Sequence, residues 1–123
     1  MSVYKEKKEK NILTISNLNN PIKLKVDCQY GTISEVTFNH NELKTVGCGE
    51  NKIVGSASEL KGKTINFNGA SGNPSGGQIK IIHTIYEEGG NELIYIFPDN
   101  YSGNPYFDEN DQEPSYKFYI NFI

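Results

Sequence analysis

Between Pro98 and Pro114 the chain sets Tyr101, Tyr106 and Phe107 among Asp99, Asn100, Asn104, Asp108 and Asp111, and residues 108–113 hold four carboxylates. Aromatic faces offer apolar area, and neighbouring amides and carboxylates offer directional hydrogen bonds. The combination suits a sugar ring or a protein surface. A connection of 17 residues in a compact domain is usually functional or disordered. Asp99, Asn100, Tyr101, Asn104, Tyr106, Asp108 and Asp111 are therefore the residues expected to bind a ligand or partner. The competing reading tucks these aromatics onto the scaffold and leaves the acidic turn solvated.

The run Asp108 to Glu113 also supplies the hard oxygen ligands that Ca²⁺ prefers. On the EF-hand template Asp108 and Asn110 fit the first and third positions, but Glu113 stands where a glycine is required. That motif fails. No cofactor is expected, and a looser Ca²⁺ loop is the one metal reading left open.

Other chemical signals are weaker. Ala57 to Thr64 ends in Gly-Lys-Thr like a phosphate-binding loop, yet Ala57 replaces the first glycine and a strand and turn follow, where the mechanism needs a helix. We read it as a chance match, with Lys61-Gly62-Lys63 as a turn entering a strand. His83 alternates with isoleucines, the pattern of a packed sheet histidine, and His40 has no second ligand at metal spacing. Serines and two cysteines are present without a nucleophile elbow. Asn100-Tyr101-Ser102 is a glycosylation sequon that matters only on a secretory route. The expectation is a protein that is not an enzyme.

Composition narrows the partners. All 12 basic residues are Lys, with no Arg, and the net charge is −3. Lacking the fork that reads guanine and phosphate bidentately, and acidic overall, the chain is not expected to bind nucleic acid or an anionic membrane surface. No run of apolar residues is long enough to span a bilayer. The amino terminus lacks the apolar core and cleavage site of a secretion signal, so the expected location is the cytoplasm, or outside the cell if the chain is a trimmed mature form. Cys28 continues the alternation Val26, Cys28, Tyr30 and reads as a small buried hydrophobe, while Cys48 sits between glycines; whether they are bonded stays open.

These residues need a scaffold, and its centre is Gln78 to Phe97. Two β-branched and aromatic runs flank a glycine-containing loop there, which predicts a hairpin. Ile79, Ile81, His83 and Ile85 share one face, Ile82 and Tyr86 the other. Apolar residues on both faces predict a central strand covered on both sides. Residues 1–10 read as a solvated charged arm, with the folded domain at 11–123. Ile12, Leu13 and Ile15 suggest a first strand. Ile22, Leu24, Val26, Cys28 and Tyr30 form one face of the next, and Gly31-Thr32 suggests a tight hairpin into Ile33–Phe38. Asn39–Ser58 is ambiguous between a helical turn and strands. Lys63–Phe67 reads as a strand and 68–77 as a flexible loop, too rich in glycine for an element interior. Tyr116, Phe118, Ile120 and Phe122 line a terminal strand that pairs within the sheets, its pairing with the central strand left open by the sequence.

Seven to nine short strands without a long helix predict an all-β, antiparallel β-sandwich with room for Greek-key-like connections, its strand order unspecified. The function expected on it is a noncatalytic protein-interaction or assembly module, working by edge pairing or self-association. The alternative is a lectin-like or calcium-assisted domain binding carbohydrate through 98–114.

Overall fold

The computed structural model describes residues 2–123 and is a sandwich of two β-sheets. Ten strands occur among these residues, one more than the upper expectation. One sheet runs β1 (Val3–Lys5), β10 (Ser115–Phe122), β7 (Thr64–Gly72), β4 (Ile33–His40) and β5 (Glu42–Gly47), with β2 (Asn11–Leu13) also on β10. The other runs β6 (Asn51–Ser56), β3 (Pro21–Gln29), β8 (Lys80–Glu87) and β9 (Glu92–Phe97).

β10 organises the first sheet. Its residues Tyr116, Phe118, Ile120 and Phe122 are all buried, as their alternation requires. One edge pairs antiparallel with β7, and the other is shared in parallel by β1 opposite Ser115–Lys117 and β2 opposite Ile120–Phe122. The expected solvated arm is therefore corrected over residues 3–6, where β1 closes the sheet and Tyr4 and Glu6 are buried, while residues 7–10 are exposed. The Lys and Glu residues that suggested solvent alternate with Tyr4, so the inward residue was hidden in a charged run. The terminal and central strands do not pair, since β8 lies in the opposite sheet.

Across the sandwich the sheets meet through aromatic rings. Phe97 of β9 stacks on Tyr116 of β10 at 4.1 Å between centroids, and Tyr95 on Phe118 at 4.3 Å. Such pairs add about 0.5–1.5 kcal/mol each beyond area burial. Ile22, Leu24 and Val26 of β3 and Ile81 and Ile85 of β8 fill the rest from their side.

Three local expectations change. Gly31-Thr32 is not a hairpin turn, because β3 and β4 lie in different sheets and this turn carries the chain between them. Tyr30, at its apex, leaves the inward face and is more than half exposed. Residues 68–72 are not loop: β7 continues to Gly72, and Gly69 pairs with Tyr116 because the Tyr116 ring occupies the space a Cβ would need. The ambiguous stretch resolves into β5, β6 and one helical turn, α1 (Ala57–Leu60), closed by a capping box in which Ser56 and Glu59 bond reciprocally. Three donors, from the Ser56 side chain, the Asn41 side chain and the Ser56 backbone, hold the Glu59 carboxyl down at about 2.

Cys28 and Cys48 are bonded, joining the end of β3 to the turn between β5 and β6. Cys28 packs against the core only in part. Glu87, at the end of β8, is buried and fixes the turn between β2 and β3: it accepts from Ser16 N at 2.9 Å, Asn17 N at 2.8 Å, Asn20 Nδ2 at 2.9 Å and Ser16 Oγ at 3.0 Å. Burial alone would raise its pKa, but these donors together bring it to about 2. Among the described residues no helix is long and apolar enough to cross a membrane.

Candidate functional site

Tyr4 builds the 98–114 connection from below. Its ring, buried in β1, lies 5.3 Å from Phe107 and 5.4 Å from Tyr101, and its hydroxyl donates to Asp111 Oδ2 at 2.8 Å. Burial first, and then the bond to Asp111, raises the Tyr4 pKa. Glu6, two residues further and inward by the same alternation, accepts from Tyr95 Oη at 3.2 Å and Ser102 N at 3.4 Å, with Lys10 Nζ at 3.5 Å from its other oxygen. The amino-terminal strand is thus the foundation of the acidic connection, a long-range dependence that composition cannot show.

The seven expected residues divide. Tyr101 is buried in the core, its hydroxyl donating to Lys5 O at 3.3 Å, so for it the competing reading holds. Its apolar ring is worth more against Phe97 and Tyr4 than in water. Asn100 turns back on β9: its amide donates to Ile96 O at 2.6 Å, and its side-chain oxygen accepts from Ile96 N at 2.7 Å. Asn104 and Tyr106 stand exposed, Tyr106 at 78%. Asp108 and Asp111 each close a small turn, accepting from Asn110 N at 2.9 Å and Glu113 N at 3.2 Å.

Only Asp99 and Asp111 of the seven reach the cleft at this end of the sandwich, which holds about 520 Å³. Tyr30 and Phe107 line it together with Lys80, Asp99, Glu109 and Asp111. Lys80 Nζ and Asp99 Oδ2 pair at 3.2 Å. Asp108 and Asp111 border a second groove of about 680 Å³ running past Asn73 and Pro74. Sequence reasoning missed Tyr30, Lys80 and Glu109. The signal for Tyr30 was its place beside Gly31 at the end of an alternating strand, where a tyrosine has no inward neighbour. Among the described residues no three His, Cys, Asp or Glu side chains gather as a metal ion would require.

A second feature lies on the other sheet. β8 is central, but its outer face is open rather than covered. Ile82 sits opposite Ile96 and Thr84 opposite Ile94, and Ile94 is half exposed. β9 is the edge beside this strip. The bonds from Ile96 to Asn100 show that its backbone groups point away from β8, and by alternation those of Ile94 and Glu92 do too. On the far edges, Lys44 Nζ donates to Ile53 O at 3.0 Å and Lys52 Nζ to Thr45 O at 2.6 Å, so lysines stitch β5 to β6 and blunt both.

His83 is buried, and its bonds define its state. Nδ1 faces Tyr95 O at 2.8 Å and must donate to that carbonyl, so Nε2 accepts the Tyr116 hydroxyl. Burial brings its pKa down to about 4. Locked between two sheets, this histidine serves the core. No protein-family model matches the chain, and no curated protein or solved structure matches it.

Proposed function

We propose that this chain is a noncatalytic assembly module that pairs with a second copy of itself along β9. The observation that supports the reading is the strip of half-exposed Ile94 and partly buried Ile82 and Ile96 running up to an edge whose Glu92 and Ile94 backbone groups face outward. A two-fold axis at Leu93 sets Glu92 of one copy against Ile94 of the other, so four backbone hydrogen bonds form reciprocally, as an isologous contact requires. Asn100 already occupies Ile96, which ends the pairing after these residues and limits it to a closed dimer. Ile94 of each copy then lies diagonal to its counterpart across the axis, within reach of side-chain contact.

Sedimentation velocity over a concentration series tests this. The expected result is a monomer–dimer equilibrium that Ile94→Glu, which sets like charges directly across the pairing at Glu92 of each copy, abolishes without lowering the melting temperature of the monomer. A chain that stays monomeric up to the highest soluble concentration would sink the proposal.

We further infer an oxidising compartment, from the Cys28–Cys48 bridge alone. The Cys28–Cys48 bridge has its Cys48 end exposed, where cellular thiols would reach it. Thiol labelling of protein taken from its native source should find no free cysteine.

A further inference from the structure

We propose that the cleft between Tyr30 and Phe107 is a binding site for a neutral saccharide, independent of any pairing along β9. Its size falls within the range of small-molecule pockets. Tyr30 and Phe107 supply the apolar surface on which the C–H face of a sugar ring packs. Glu109 and Asp111 supply acceptors for its hydroxyls. Glu109 has no hydrogen bond or ion pair among the described residues, and each Asp111 oxygen has one partner and a lone pair to spare. Lys80 and Asp99 neutralise each other, so the cleft keeps a negative balance that disfavours phosphates and acidic sugars.

The walls are built rather than incidental. Tyr30 is held at φ 59°, a left-handed conformation that a bulky side chain rarely adopts. Asn73, almost fully buried, fixes it there: its Nδ2 donates to Tyr30 O at 2.8 Å and to Gln78 O at 2.7 Å, tying together the wall that faces the acidic connection, while its Oδ1 accepts from Ser75 N at 3.0 Å. A core would gain more by burying this tyrosine. It is kept instead in water at the mouth of the cleft.

The test is an array of neutral glycans, followed by amide-shift titration with the best binders, with a lysine-rich peptide run in parallel at low and high salt. The expected result is glycan binding, insensitive to salt, that shifts the Gln78, Lys80 and Phe107 amides and weakens about tenfold in Tyr30→Ala and in Glu109→Gln. Glu109 is exposed and unpartnered, so its variant keeps the fold even if the Tyr30 turn relaxes. Absence of glycan binding, binding of the peptide alone, or glycan binding that both variants leave unchanged would each overturn the proposal.

Discussion

Tyr116 donates its hydroxyl proton to His83 Nε2 across 2.7 Å, and this bond crosses the interior from one sheet to the other. It demands a neutral imidazole, because a protonated ring has no lone pair to offer. The unfolded chain takes up a proton near the ordinary value of 6.5, the folded chain only at about 4. Stability is therefore full above pH 6.5, falls as the pH drops towards 4, and is not reduced further by this group below that. The loss should reach on the order of 3 kcal/mol. Glu87, depressed from 4.5 to about 2, adds a second loss as the pH falls between those values. Urea unfolding of His83→Gln across this range should show the upper limb abolished and the lower one kept; an unchanged upper limb would mean another group titrates there.

Gly69 and Tyr116 are paired across β7 and β10, and the ring fills the place of a Cβ. Gly69→Ala must push the ring off both His83 and Phe97, so it should destabilise by about 3 kcal/mol, the upper end for overpacking. Urea midpoints of the two proteins decide it. A change below about 0.5 kcal/mol would show that the ring can move away freely.

The alternating strands were legible because period-two burial is written directly in residue order: Ile22, Leu24 and Val26, Ile79 to Ile85, and Tyr116 to Phe122 all face inward as expected. What was not legible depends on partners far along the chain. Gly69 looks like loop until Tyr116 is set against it, and Tyr4 looks like part of a charged arm until β10 is beside it. The Ser56–Glu59 capping box was in plain view, but α1 is a single turn, too short for helical periodicity to announce it. At the cleft, the acidic connection was foreseen, while its opposite wall comes from Tyr30 and Lys80, separated from it by the whole course of folding.

The Cys28–Cys48 bridge closes a loop with a sequence separation of 20. Restricting the unfolded chain over that length is worth about 3 kcal/mol. The double variant Cys28→Ala/Cys48→Ala should lose roughly that amount in denaturant titration, and a reducing agent should lower the wild-type stability by the same amount while leaving the variant unaffected. Equal sensitivity of both proteins to reductant would contradict the bridge.

Tyr101 and Tyr106 lie five positions apart in one connection and should behave oppositely. Tyr101 packs edge-on against Tyr4 and Phe97 and is nearly excluded from water, so Tyr101→Ala leaves a cavity beneath the acidic turn and should cost about 3 kcal/mol. Tyr106 is 78% exposed and makes no hydrogen bond among the described residues, so Tyr106→Ala should stay within about 0.5 kcal/mol of the parent. Because the Tyr101 hydroxyl bonds Lys5 O and the adjacent Ser102 N–H bonds the Glu6 carboxylate, loss of Tyr101 should loosen β1 from β10, raising amide exchange at Glu6, whose N–H bonds Lys117 O, and at Ser115, whose N–H bonds Ser2 O. Comparable melting temperatures for the two variants, or exchange confined to the 98–114 connection, would show that Tyr101 is not what fastens the amino-terminal strand.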